Sequence, residues 1–294
     1  MLASSGVRAP PHAIPAPPFP RELPWINVAP LRMDKQRGRP VLVEFWDFCR
    51  VNSLRTLPYL KEWHERYAAD GLRVIGVHTG GLPPARDTDA VRAAVARLGI
   101  EYPVVVDERL EIWDFYGNEG WPARYLWDRD LALYSMHYGE GAYHETEREI
   151  QALLGLERPL VAPVRPEDAE GVLLPAQTAD QPGAYAGPYE AGGVWAVLEG
   201  SGEVRVGGRR IAVDGPGCYP LVEHPHHTAG VLDLEVGPGV TCHLTCFTPG
   251  IARTRMRRMR PRAPARDAAT ARGLIRLIGE RPHAAPRPPA ASSA

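Results

Sequence analysis

The chain is poor in cysteine and almost without lysine. Its four cysteines, Cys49, Cys218, Cys242 and Cys246, are scattered over 294 residues, which excludes a small scaffold stapled by disulfides. Cys242 and Cys246 lie four apart in Thr-Cys-His-Leu-Thr-Cys-Phe. On a strand that spacing is roughly 13 Å, too far for a disulfide, so buried free thiols are expected. No stretch reaches the ~18 apolar residues of a membrane-crossing helix. The opening residues, Met-Leu-Ala-Ser-Ser-Gly-Val-Arg-Ala-Pro-Pro, have no apolar leader core because prolines interrupt it. A cytoplasmic setting without membrane contact is therefore expected of the chain as written, with an upstream leader left open. A net charge of -1 supplies no global attraction for nucleic acid. Lys35 and Lys61 are the two lysines, so arginine carries nearly all the positive charge.

What is present fits a globular chain long enough for two domains, with 44% hydrophobic and 23% charged residues. Residues 1–24, rich in Pro and Ala, read as a disordered lead-in. Residues 25–155 alternate strand and helix signals. Pro40 to Trp46 is a β-branched and aromatic run. Leu54, Leu57, Leu60, Trp63 and Tyr67 then recur at helical spacing from about Ser53 to Ala69, with Pro58 expected to kink the helix and Gly71 to end it. Leu72–His78 and Tyr102–Asp107 read as strands, and Asp87–Leu98 as a helix. Ala123–Trp127 and Leu131–Met136 form a hairpin pattern through Asp128-Arg129-Asp130, and a helix follows from Tyr143 to Leu154. This order predicts an α/β domain with mixed sheet direction.

Residues 156–182, Pro-rich and acidic, read as a linker. From 183 to 250 short strand signals alternate with Gly and Pro turns, including Gly207-Gly208, and predict an all-β sandwich or jelly-roll-like domain. Residues 251–294 form a basic, Pro/Ala-rich tail containing Arg253, Arg255, Arg257, Arg258, Arg260 and Arg262, with a short helix possible over Ala268–Ile278.

The most informative stretch runs Phe45-Trp46-Asp47-Phe48-Cys49-Arg50-Val51-Asn52-Ser53-Leu54-Arg55-Thr56-Leu57-Pro58-Tyr59. It follows a strand and opens a helix. It resembles the thioredoxin-like, redoxin-type domains of the DipZ and TlpA group of thiol-disulfide oxidoreductases and of NHL-repeat proteins. In that resemblance Trp46, Asn52 and Arg55 to Tyr59 match the family pattern, and Phe48 stands at its tyrosine. Arg50 and Ser53 occupy the positions of the two active-site cysteines. Trp113, Tyr116, Gly117, Asn118 and Trp121-Pro122-Ala123 resemble the cis-proline segment of the same family, with Pro122 as that residue. Gly139 to Arg148 resembles its closing strand and helix. The likeness covers 25–155. The β-domain, with Gly-Gly-Val-Trp-Ala-Val-Leu at 192–198, stands where a β-domain follows the redoxin in DipZ-type chains.

The resemblance implies thiol-disulfide exchange, but the residues present do not support it. The chemistry needs a low-pKa thiolate at a helix start and a second thiol one turn later. Arginine cannot attack a disulfide, and serine has almost no anion at neutral pH. Cys49, one place before the nucleophile position, leaves two alternatives open. It is either a displaced monothiol whose pKa is lowered by the helix terminus and Arg50, or a residue turned away from the tip by the one-place slip. Arg50 could favour an anion, and Ser53 is expected to cap the helix. A substrate groove formed by Trp46, Phe48, Trp121 and Pro122 could persist without chemistry.

Elsewhere, His224-Pro225-His226-His227 and His243 suggest metal binding only weakly, because Pro225 argues for a loop and no carboxylate completes a ligand set. Surface or inter-sheet histidines are expected, with no metal and no cofactor. Trp195, Tyr185, Tyr189 and Tyr219 could form a carbohydrate platform or simply pack. No Gly-x-Ser-x-Gly setting supports hydrolase chemistry. The arginine tail is the sole nucleic-acid signal. Two functions follow: a redox-inactive module that binds a protein, peptide or glycan, or an oxidoreductase or antioxidant using Cys49 alone.

Overall fold

The structure is a computed structural model that describes residues 14–253. The first part of the lead-in and the arginine tail, with the helix expected at Ala268–Ile278, lie outside the described residues. The described residues form one compact unit built around two sheets.

The first sheet has six strands: β1 (Trp25–Ile26), β2 (Val41–Trp46), β3 (Arg73–His78), β4 (Val104–Val106), β5 (Ala123–Trp127) and β6 (Leu133–Tyr138), in the order β1-β4-β3-β2-β5-β6. β2, β3 and β4 are parallel, whereas β5 and β6 run antiparallel. Every residue of β2 is buried, so alternation along it fills two cores. Leu42 and Trp46 pack under α1 (Val51–Tyr67), together with Leu57, Leu60, Trp63 and Tyr67 of that helix. Val41, Val43 and Phe45 face Ile75, Val77, Tyr125 and Trp127 on the other side. α2 (Thr88–Arg97) and α4 (Tyr143–Leu154) join the first core, and α3 (Glu111–Tyr116) joins the second. This is the thioredoxin-like arrangement: a parallel centre, an antiparallel hairpin and helices on both faces.

Part of the expected lead-in is packed. Phe19 and Leu23 are buried in the second core, and the Leu133 amide donates to the Ile14 carbonyl at 2.9 Å. Helix α1 begins at Val51 rather than near Ser53.

The second sheet contains β7 (Gln181–Pro182), β8 (Ala186–Val206), β9 (Arg209–Asp214), β10 (Gly217–Val236) and β11 (Val240–Thr248). Strand pieces expected as separate are continuous in β8 and β10. β8 turns into β9 through Gly207-Gly208, both at positive φ. Along β10, Gly217 lies opposite Leu198 and Asp233 opposite Ala186, after which Leu234 lies opposite Val206. Both ends of β8 therefore meet consecutive residues of β10, and the sheet curls around its own core of Val194, Ala196, Leu198, Val204, Leu221, Leu232 and Phe247. The alternate residues Trp195 and Val197 point the other way, into the core beneath α1. His224-Pro225-His226-His227 lies within β10, not in a loop, but the register jumps there from Glu223 to Thr228. That irregularity accommodates a proline that cannot donate to the ladder.

Candidate functional site

The turn between β2 and α1 is organised by Asp47. Its Oδ1 accepts the Cys49 amide at 2.7 Å and its Oδ2 accepts the Gly81 amide at 2.8 Å. Its own N–H donates to Ser53 Oγ at 3.2 Å, and its carbonyl accepts the Arg50 amide at 3.0 Å. Burial raises the Asp47 carboxyl to about 6, against the two amide bonds that pull it down. Beneath it, His78 stacks on Phe48 with centroids 5.3 Å apart and meets Trp46 edge-on at 4.9 Å. Burial pushes the imidazole down to about 3, so it is neutral and its Nε2 accepts the Phe48 amide at 3.4 Å.

Arg50 is the N-cap of α1. Its guanidinium lies 5.0 Å over the Trp121 ring, next to the cis peptide Trp121–Pro122. Gly81 makes this approach possible, because a Cβ there would come within 3.0 Å of both Arg50 Nη2 and the Trp121 ring. The position that opens the helix thus presents a guanidinium to the cis-proline turn.

One turn further on, the same helix anchors distant segments. Arg55 Nε donates to Glu140 at 2.7 Å and its Nη2 to Glu167 at 3.1 Å, with Arg55 nearly buried. Tyr59 Oη donates to Asp168 at 2.8 Å, accepts the Val164 amide at 2.8 Å, and its ring stacks on Tyr143 at 3.7 Å. Under the sheet, Glu44 is wholly buried 3.5 Å from Arg124. Burial outweighs the arginine and pushes Glu44 up to about 8, so it is mostly protonated at neutral pH. Arg124 bonds instead to the Gly141 carbonyl and Thr146.

Residues 15–135 match the AhpC/TSA family. The N-terminal domain has a thioredoxin-like fold and carries this redoxin match. Protein DipZ of Mycobacterium bovis is 33% identical over 183 residues, 60% of this chain and 26% of that protein. That stretch is too long to fit in the redoxin domain alone, so the similarity continues past it. NHL repeat-containing protein 2 of Gallus gallus is 35% identical over 129 residues, 42% of this chain and 18% of its own length. Thiol-disulfide oxidoreductase YkuV of Bacillus subtilis is 25% identical over 140 residues, covering 48% of this chain and 94% of itself. Among solved structures, a thioredoxin-like protein in its oxidized form superposes with a TM-score of 0.45 at 25% identity, covering 49% of this chain and 98% of its own. The chain spans about a quarter of the length of DipZ.

Within the redoxin domain, several expected site residues fall elsewhere. Cys49 is buried, and burial first and Asp47 second push its thiol well above the ordinary range, the reverse of an activated thiolate. The Asp47 turn draws its backbone inward and aims the side chain at the core that also receives Cys246. Trp46 and Phe48 are closed off by His78 and α1, so they do not line a groove. Trp121 is half-buried and Pro122 buried. Ser53 is not the cap, because Arg50 precedes the first helical residue, and its hydroxyl accepts the Asp47 amide instead. Asp47 and His78 are not among the site residues expected from the sequence. An Asp two places before a residue whose amide it can take is the available signal for the first. A lone histidine closing an apolar strand gives no signal for the second.

The remaining candidates are dispersed. His224 Nε2 meets Tyr189 Oη at 2.9 Å, His227 faces Glu190 at 3.7 Å and His243 faces Glu199 at 2.9 Å. Among the described residues no group of three or more His, Cys, Asp or Glu is placed to hold a metal ion. Tyr185 donates to the Pro188 carbonyl and Tyr219 to the Gly215 carbonyl. Tyr189 packs in the β-domain core and Trp195 points the other way. The platform of four aromatics is therefore not assembled. Among the described residues no helix is long and apolar enough to cross a membrane.

Proposed function

We propose that this redoxin domain no longer exchanges disulfides and that, together with the β-domain, it acts as a binding module for a protein, peptide or glycan. The observation that carries this reading is the occupancy of the helix start. A guanidinium faces the cis-proline turn where the exchange reaction needs a thiolate, and the following turn holds a hydroxyl bonded to a backbone amide. Cys49 supplies no substitute, since a buried thiol with a raised pKa carries almost no thiolate at neutral pH.

The test is dithiothreitol-driven insulin reduction by the native chain, by Cys49→Ser, and by Arg50→Cys combined with Ser53→Cys. The native chain is expected to add nothing to the reductant alone, and the double variant to gain turnover. Turnover by the native chain that disappears in Cys49→Ser would overturn the proposal and restore the monothiol oxidoreductase.

A further inference from the structure

The seam between the redoxin domain and the β-domain holds a cavity of about 550 Å³. Its floor is one row across three strands. Glu223 on β10 and Thr248 on β11 both lie opposite Gly193 on β8. Gly193 has no side chain, which lets Thr248 and the Val222 carbonyl close over it, since any Cβ there would come 2.9 Å from Thr248 Oγ1 and 3.1 Å from that carbonyl. Trp195, two residues along β8, lies on the same face as Gly193. Residues opposite one another share a face, so Glu223 and Trp195 are diagonal neighbours within reach of one ligand group. Leu54 and Arg55 of α1 and the segment Arg165–Glu167 form the facing wall.

The charges around this cavity are unequal in their commitments. Arg55 is held by Glu140 and Glu167, Arg165 by Asp168 and the Arg55 carbonyl, and His224 by Tyr189. Glu223 is exposed and, among the described residues, paired with no cation. An adjoining cavity of about 270 Å³ shares Arg55, Glu167 and Pro249 with the first and contains Glu145, exposed and likewise without a cation partner among the described residues. The two cavities thus share a lining that holds two uncommitted carboxylates, Glu223 and Glu145, and the half-buried Trp195 side chain.

We infer that this groove docks a basic peptide segment of a partner protein, with one cationic side chain over Trp195 and its charge on Glu223, and the segment running on toward Glu145. The inference rests on the binding-module reading and names the partner's chemistry. A guanidinium or ammonium suits this corner of the cavity because its flat or compact head can face an aromatic ring while pairing with a carboxylate.

Calorimetric titration of the full chain with the peptide acetyl-Gly-Arg-Pro-Arg-Gly-amide tests it, with the Gln-for-Arg peptide and chitotriose as comparison ligands. The arginine peptide is expected to bind, the glutamine peptide at least about tenfold more weakly, and rising salt to weaken binding. Glu223→Gln, a surface change, should weaken binding by about 3- to 10-fold, and Trp195→Ala by more. Glu203→Gln, outside the groove, should leave it unchanged. Equal binding of both peptides, native affinity in Glu223→Gln, or titration by chitotriose in place of the peptide would overturn the inference. Insulin reduction measured on the same preparation keeps the two readings apart. Turnover by the native chain defeats the redox-inactive reading, whereas absence of peptide binding without turnover defeats only the groove.

Discussion

The stretch from Trp46 to Tyr59 divides into two halves. In the resemblance drawn from the sequence, the first, Trp46 to Ser53, keeps the family's tryptophan and asparagine but carries Arg50 and Ser53 where that pattern has its cysteines. The second, Arg55 to Tyr59, matches the family pattern throughout. The second half holds segments far away in the chain: Arg55 reaches Glu140 and Glu167, and Tyr59 reaches Val164 and Asp168. In the first half Ser53 accepts an amide six residues back and Asp47 takes the Cys49 amide within the same turn, while the longer reaches, Asp47 to the Gly81 amide and Arg50 over Trp121, form no ion pair. The difference separates two kinds of demand. A residue that pairs buried charges from several segments cannot change without unpairing them. A residue that pairs with no buried charge can be replaced by anything that lets its turn close.

The largest effect that would test this comparison is in the second half. Arg55→Ala leaves the mostly buried Glu140 and Glu167 without the cation that both hydrogen-bond. Removing one partner of such a buried cluster costs about 3–5 kcal/mol. Urea unfolding followed by circular dichroism measures it. A loss below about 1 kcal/mol, the range of exposed pairs, would show that the second half is no more structural than the first.

Glu44 sharpens the comparison through pH. Its folded pKa of about 8 lies above its ordinary value of 4.5. Between those limits the folded chain keeps a proton that the unfolded chain releases. Its stabilising contribution is complete below about pH 4.5 and is lost as pH rises toward 8. Glu44→Gln cannot ionise, so it should gain stability relative to the native chain across that window, with a limiting slope of about 1.4 kcal/mol per pH unit. His78, held down near 3, acts at the other end, costing stability as pH falls below its ordinary value of 6.5. Thermal midpoints from pH 4.5 to 8 give the result, and parallel curves for the two proteins would mean that Arg124 keeps Glu44 ionised.

Much of this architecture was legible in the chain, and the illegible parts share a cause. The β-branched and aromatic run from Pro40 to Trp46 and the helical spacing from Leu54 to Tyr67 are local patterns, and both appear in the structure with small shifts in their ends. Helix α3 was missed because its N-cap position is Leu110, at φ 60°, which gives no capping signal. The amides of Ile112 and Trp113 are taken by Asp107, several residues upstream. Residues 156–182 carry the composition of a linker, yet Glu167 and Asp168 find their partners more than a hundred residues back in α1. The burial of Cys49 depended on the Asp47 turn, which spacing alone does not fix. What the sequence concealed were contacts between residues remote along the chain and the direction in which one short turn points.

The smallest expected effect falls at the position of the second family cysteine. Ser53→Ala removes the acceptor of the Asp47 amide inside a buried turn. A lost hydrogen bond of this kind costs about 1 kcal/mol, with somewhat more if water cannot reach the orphaned N–H. Ser53→Cys restores a side chain of nearly the same shape whose sulfur is a weak acceptor. Its stability should therefore fall between those of the alanine variant and the native chain. Urea midpoints of the three proteins measure the ranking. If Ser53→Ala matched Arg55→Ala in its loss, the first half would be as structural as the second. Replacement of a sulfur by an oxygen would then count as a packing requirement rather than a release from chemistry.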